Sequence, residues 1–141
     1  MNLYFWIPMG ILGLLLVAAF IKRYKMFKSM SNATNSEKLI ILTDATFQKT
    51  ISKGVTLVDF WAPWCTPCKI QGPIVSEVAE AIGDKASICK LDVDQNKKIA
   101  SKLKIRSIPT IIIFKDGEPV KQFIGVKTKA VLLKSVLALT N

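Results

Sequence analysis

Asp59-Phe60-Trp61-Ala62-Pro63-Trp64-Cys65-Thr66-Pro67-Cys68-Lys69 places two cysteines two residues apart, behind an apolar run and ahead of a helical pattern. Upstream, Val55 to Phe60 (VTLVDF) reads as a buried strand interrupted by one acid, Asp59. Downstream, Ile70, Ile74, Val75, Val78 and Ile82 recur on one face of a helix that Pro73 kinks and Gly83 stops. Cys65 therefore falls where a strand gives way to a helix. The free N–H groups and dipole of a helix start stabilise a thiolate there and lower its pKa. Cys68 lies one turn inside, close enough to bridge back. Pro67 sits in the first turn, where its missing N–H costs nothing.

Such a pair has three readings: half of a zinc site, a redox pair, or coincidence. A zinc site needs two further ligands. The chain has three cysteines and no histidine, so Cys89 is the only other thiol. A Cys-His nucleophile pair and a His general base are excluded for the same reason. Context favours redox chemistry, because a Cys-x-x-Cys beside a β-α-β pattern is a redox signature by itself. Cys89 alternates with Ile88 and Lys90 in an expected strand. It reads as a small buried hydrophobe, with a regulatory thiol as the alternative.

Working outward, Leu39 to Leu42 suits a first strand, and Thr43 or Asp44 can cap a helix carrying Phe47 and Ile51. Ala86 to Val93 reads as a strand, and Asn96 to Lys102 as a short helix with Ile99 and Leu103 inward. Thr110 to Phe114 and Val120 to Ile124 form a hairpin around Lys115-Asp116-Gly117-Glu118. Thr128 caps a final helix with Val131, Leu132, Val136 and Leu139 inward. The order is β-α-β-α-β-α-β-β-α, without internal repeats. Lys97, Lys98, Lys102, Lys104 and Arg106 read as the solvated face of a short helix. They carry neither a groove-reading motif nor interleaved aromatics, so no nucleic acid partner is expected.

The quoted stretch resembles the active-site strand and helix start of the thioredoxin family. Pro73 is similar to the family's helix-kinking proline, and Lys90-Leu91-Asp92-Val93-Asp94 to its third strand. Arg106-Ser107-Ile108-Pro109-Thr110 resembles the segment with the cis-proline that faces the active site. Phe114-Lys115-Asp116-Gly117 and Gly125 resemble the terminal hairpin. The likeness covers roughly residues 37–141 and not residues 1–36. One departure is Thr66, which stands where the family has glycine, in the loop that helps set thiolate pKa and reduction potential.

The resemblance implies a thioredoxin fold, a central mixed β-sheet flanked by helices, acting as a protein-disulfide reductase. Cys65 would attack a substrate disulfide, and Cys68 would resolve the mixed disulfide. Buried Asp59 would accept the Cys68 proton, with Lys90 as its neighbour across the strands. Trp64, Thr66, Pro67 and Pro109 would shape the substrate groove, and the Ile108 backbone would pair with an extended substrate. Trp61 reads as packing. No cofactor beyond the Cys65–Cys68 disulfide and no metal is implied. The implied partners are disulfide-containing proteins and a reductase such as thioredoxin reductase.

The composition divides along the chain. Half of the 141 residues are hydrophobic, and the formal net charge is +10. Residues 3–21 carry no formal charge and hold only Pro8, Gly10 and Gly13 outside the hydrophobic set. Without them the hydrophobic share falls to about 45%, an ordinary soluble composition. As a helix the stretch would rise about 28 Å, close to a bilayer's hydrocarbon core. Tyr4, Phe5, Trp6 and Tyr24 supply interfacial aromatics.

A retained membrane anchor is the expectation. A cleaved signal peptide lacks its basic n-region, and a buried core helix would not be apolar on all sides. Lys22, Arg23, Lys25 and Lys28 follow directly, and no acid precedes Glu37. That asymmetry predicts a single-pass protein with its domain in the cytoplasm and residues 3–28 against lipid. The expected division is an anchor with basic flank at 1–28, a polar tether at 29–36 and a thioredoxin domain at 37–141. Asn32-Ala33-Thr34 matches a glycosylation tripeptide, a pattern too short to carry weight. Two alternatives stand beside this reading. One is an extracytoplasmic relative serving cytochrome c maturation or disulfide formation or isomerisation. The other is a non-catalytic, membrane-tethered binding or chaperone module.

Overall fold

The structure is a computed structural model that describes residues 13–24 and 36–141. Residues 13–24 form a helix, α1, with every side chain exposed. Among the described residues, no helix is long and apolar enough to cross a membrane. Most of the expected anchor's first half, Lys25, Lys28 and nearly all of the tether lie outside the described residues. Helix α1 and the domain that follows belong to separate structural units.

In that domain the order is β1 (Leu39–Leu42), α2 (Phe47–Ile51), β2 (Val55–Trp61) and α3 (Thr66–Ile82). A 3-10 turn at Gly83–Lys85 leads to β3 (Ser87–Asp92) and α4 (Lys97–Lys102). Then come β4 (Thr110–Lys115), β5 (Glu118–Ile124) and α5 (Lys129–Leu137). The strands form one sheet in the order β1-β3-β2-β4-β5. β3 runs parallel to β1 and β2, and β4 runs antiparallel to β2 and β5. The sheet is therefore mixed, as expected, with β2 inside it.

Both faces of the sheet are covered, so β2 reads as a continuous apolar run instead of alternating with polar residues. Val55 and Leu57 turn to one face, where Ile111 and Ile113 meet Val75, Val78, Ala79 and Ile82 of α3 and Leu132 and Val136 of α5. Val58 and Phe60 turn to the other, against Phe47, Ile51, Cys89, Leu91 and Phe114. The Phe47 ring stands edge-on to Phe114 at 5.6 Å between centroids, a geometry worth about 0.5–1.5 kcal/mol beyond its buried area. Strand period two puts Asp59 on the same face as Leu57, beneath α3. β5 is an exposed edge, and Pro119 with Lys121 keeps it from pairing further.

Helix α3 departs from the expected face at its start. Ile70 is exposed, whereas Cys68, Gln71, Gly72 and Val75 are buried. The buried stripe runs 68, 72, 75, 79, 82, and position 70 lies about 200° from both 68 and 72, on the opposite side. Val131 is likewise exposed, because Leu132, Ser135 and Val136 form the inward face of α5. Gly83 ends α3 at φ 58°, a left-handed conformation that favours glycine, and its N–H returns to the Ala79 carbonyl.

The helix caps sort themselves across the chain. Thr43 and Thr46 exchange backbone N–H to hydroxyl bonds of 2.9 and 3.3 Å ahead of α2. Asp44 serves another helix. Its carboxylate accepts from the Ile99 and Lys98 N–H groups at 3.0 and 3.4 Å, while its own N–H donates to Asn96 Oδ1 at 2.8 Å. A capping acid contributes about 1 kcal/mol. Urea unfolding of Asp44→Ala should show a loss of that order with an unchanged m-value; an unchanged midpoint would remove the capping role.

Candidate active site

β2 ends at Trp61, and its carbonyl accepts from the Val93 N–H at 2.9 Å, which ties the end of β2 to the end of β3. The chain then turns, and the Cys65 N–H donates to the Ala62 carbonyl at 3.1 Å. Cys65 occupies the N-cap of α3 in extended conformation, φ −83° and ψ 108°. Its Sγ accepts from the Cys68 N–H at 3.3 Å, so the sulfur takes the capping place of a side-chain oxygen. Pro67 lies in the first turn, where no donor is lost. Cys65 and Cys68 are joined by a disulfide, with Cα atoms 5.2 Å apart.

Both cysteines are buried, packed with Ala62 and flanked by Trp61, Val93 and Ile108. The Ile108 carbonyl oxygen lies 3.7 Å from Cys65 Sγ, and the Ile108–Pro109 peptide bond is cis. This approach sets the Ile108 backbone beside the sulfur pair. Pro109 is buried, while Trp64, Thr66 and Pro67 are exposed around the cysteines. Trp64 is 68% exposed and is pinned by its indole N–H, which donates to Asp94 Oδ2 at 2.8 Å. A shallow groove of about 410 Å³ opens between Trp64, Val93 and residues 105–108. The larger depression, about 500 Å³ between Lys53, Lys85 and their neighbours, lies at the opposite ends of the strands and contains no thiol.

Asp59 is fully buried, and neither of its carboxylate oxygens has a hydrogen-bond partner. Burial pushes its pKa up from 3.8 to about 7, against a smaller downward pull from Lys90. Lys90 stands opposite Asp59 in the β2–β3 register. Its Nζ lies 4.3 Å from the centroid of the Trp61 ring, a cation–π contact. Gly72 of α3 makes room for it, since a Cβ there would come within 3.3 Å of Lys90 Nζ. Among the described residues the one salt bridge is Lys129 to Glu77, so Lys90 and Asp59 are near but not paired.

Sequence reading missed Asp94, Gly72 and Gln71. Gln71 is buried on α3 and bonds the backbone of Lys127 twice. A glutamine within an apolar helical stripe was the available signal. Cys89 is fully buried among apolar neighbours, and burial pushes its thiol up to about 12. It packs as expected. Among the described residues no group of three or more His, Cys, Asp or Glu side chains could hold a metal ion.

Two sulfurs joined as a disulfide at a helix start thus stand beside an exposed groove and a backbone carbonyl. Residues 38–138 match the Thioredoxin family model. A thioredoxin from Staphylococcus saprophyticus is 50% identical over 91 residues, 64% of this chain and 88% of its own length. One from Staphylococcus aureus is 48% identical over 91 residues, with the same coverage. Among solved structures, a mutant thioredoxin from Halobacterium salinarum matches with a TM-score of 0.69 at 30% identity, over 76% of this chain and 95% of that one. The chain belongs to the thioredoxin family. Its members need no cofactor beyond the redox-active disulfide, and they work between disulfide-bearing proteins and a reductase donor.

The raised pKa of Asp59 has a signed consequence for stability. The folded state holds this proton more tightly than the unfolded chain. The stability it brings is full below about pH 3.8 and is lost as pH rises to about 7. Each pKa unit corresponds to about 1.4 kcal/mol, so the loss is on the order of a few kcal/mol. Asp59→Asn cannot ionise. It should be more stable than the wild type above pH 7, with the gap closing towards pH 4 in denaturant titrations. A gap that is constant with pH would contradict the shift.

Proposed function

We propose that the protein is a membrane-anchored thioredoxin that reduces protein disulfides through the Cys65/Cys68 dithiol. The observation that carries the mechanism is Cys65 Sγ accepting the Cys68 N–H at the start of α3, with Asp59 buried on the adjoining strand. The Cys65 thiolate attacks one sulfur of the substrate disulfide. That S–S bond breaks, a mixed disulfide forms, and the other substrate sulfur leaves as thiolate. Cys68 then gives its proton to the Asp59 carboxylate, through water, and attacks Cys65 Sγ. The second substrate thiolate leaves, and the Cys65–Cys68 disulfide closes. The substrate gains two electrons, and a reductase such as thioredoxin reductase returns them.

An Asp59 pKa of about 7 suits this exchange, because a base works best when its pKa lies near the working pH. Lys90 tunes it, lowering a value that burial raises. Trp64 forms one lip of the substrate groove and Ile108 the other, while Thr66, Pro67 and Pro109 complete the substrate surface beside them. An extended substrate segment pairs with the Ile108 backbone.

Residues 1–28 anchor the chain, 29–36 tether it, and 37–141 form the catalytic domain. The uncharged stretch at 3–21 and the cluster Lys22, Arg23, Lys25 and Lys28 support a single pass with the domain in the cytoplasm. Residues 3–28 meet the lipid.

Cys65→Ser should abolish reduction of insulin, and Cys68→Ser should accumulate mixed disulfides visible on non-reducing gels. Undiminished turnover in Cys65→Ser would remove the mechanism. For the topology, a cysteine introduced at Ser31 should resist an impermeant maleimide in intact cells and react after lysis. Labelling in intact cells would place the domain outside.

A further inference from the structure

We infer that Gln71 is a positioning residue for protein substrates, setting the gap between Cys65 and the Ile108–Pro109 backbone. The inference rests on the proposed pairing of substrate with Ile108. Gln71 follows the second cysteine by three residues and is fully buried. Its side-chain amide closes a two-bond ring with one residue of another segment. The Lys127 N–H donates to Gln71 Oε1 at 2.7 Å, and Gln71 Nε2 donates to the Lys127 carbonyl at 3.2 Å. A neighbouring strand would offer a backbone the same donor and acceptor. Here a side chain of the active-site helix supplies both.

Lys127 belongs to the link between β5 and α5. The other end of that link is held by Gly125, whose N–H donates to the Pro109 carbonyl at 2.9 Å. Gly125 has φ 79°, so the turn that aims this N–H favours glycine. The link thus joins the two walls of the site. One wall is α3 with Cys65, Cys68 and Gln71. The other is the 108–109 loop, whose Ile108 carbonyl lies 3.7 Å from Cys65 Sγ. The path from wall to wall is two direct attachments, Gln71 to residue 127 and residue 125 to Pro109. An apolar residue at 71 would leave the N–H and C=O of Lys127 without these partners and free the link from the helix.

A substrate strand must satisfy both walls at once. It bonds the Ile108 backbone and brings its sulfur in line with Cys65 Sγ. A misplacement of an ångström costs heavily in such a two-point fit. A small disulfide needs only the sulfur. Loosening the link should therefore weaken attack on protein disulfides far more than attack on small ones.

Gln71→Met keeps side-chain length and apolar volume and removes both bonds. Gln71→Glu keeps the acceptor for the Lys127 N–H and loses the donor when ionised. In the full-length protein, Gln71→Met should raise KM for insulin about tenfold, with kcat within twofold. Turnover of the small aromatic disulfide dithiobis-nitrobenzoate should change less than twofold. Gln71→Glu should fall between Gln71→Met and the wild type, and it carries the test by itself where Gln71→Met does not fold. Wild-type KM for insulin in these variants, or equal losses towards both disulfides, would overturn the inference. If Cys65→Ser kept its turnover the exchange mechanism itself would fail, an outcome independent of the Gln71 series.

Discussion

A helix start leaves backbone N–H groups without partners, and here a sulfur fills one of those places. The Cys68 N–H points at Cys65 Sγ from 3.3 Å. That bond needs Cys65 outside the helix and Cys68 one turn inside, which is what two intervening residues deliver. It needs a helix that begins at a fixed point, which Pro67 and the tight turn from Ala62 provide. It also needs the strand before the turn to be immobile. β2 is bonded on both sides, to β3 and to β4, and packed on both faces. The sheet thereby delivers one sulfur to one position, and the helix dipole does the rest.

Burial has a second effect on the same strand. Asp59 is held without a hydrogen-bond partner in a face otherwise filled by Leu57, Ile111 and Val75. A carboxylate there is costly, and Lys90 offsets only part of the cost because it stops short of an ion pair. An apolar residue would suit this core better. The retention of an acid whose pKa sits near 7 fits chemistry more than stability. Gly72 belongs to the same neighbourhood, since a Cβ there would stand 3.3 Å from the Lys90 ammonium group.

The strand and helix order was legible because both of its signals are local: apolar runs bounded by glycine and proline, and helical spacing. The Cys65–Cys68 junction was legible for the same reason. What local pattern could not give was which acid serves which helix. Asp44 stands beside α2 in sequence and caps α4 in space. Nor could spacing fix the start of the buried stripe on α3, where Gln71 is inside and Ile70 outside. An apolar residue and a polar one exchanged their usual places because the inward position needed two hydrogen bonds to Lys127. Asp94 read only as part of a strand motif because its partner, Trp64, is thirty residues away. In each case the missing information was a tertiary contact made by a polar side chain.

The three cysteines show how far position, and not residue type, decides reactivity. Exposure does not separate them, since all three are buried. Cys89 lies within β3, between Ile40 of β1 and Val58 of β2, and its surroundings are apolar. Desolvation alone acts on it, which is why its thiol is pushed up to about 12. Cys65 is buried to a similar degree but stands at a helix start, where an N–H meets the sulfur and the dipole favours negative charge. The same burial that silences one thiol shields the other from water without removing the groups that stabilise its charge. Without histidine in the chain, the groups the structure sets near the sulfurs are a backbone N–H and, on the adjoining strand, one buried acid.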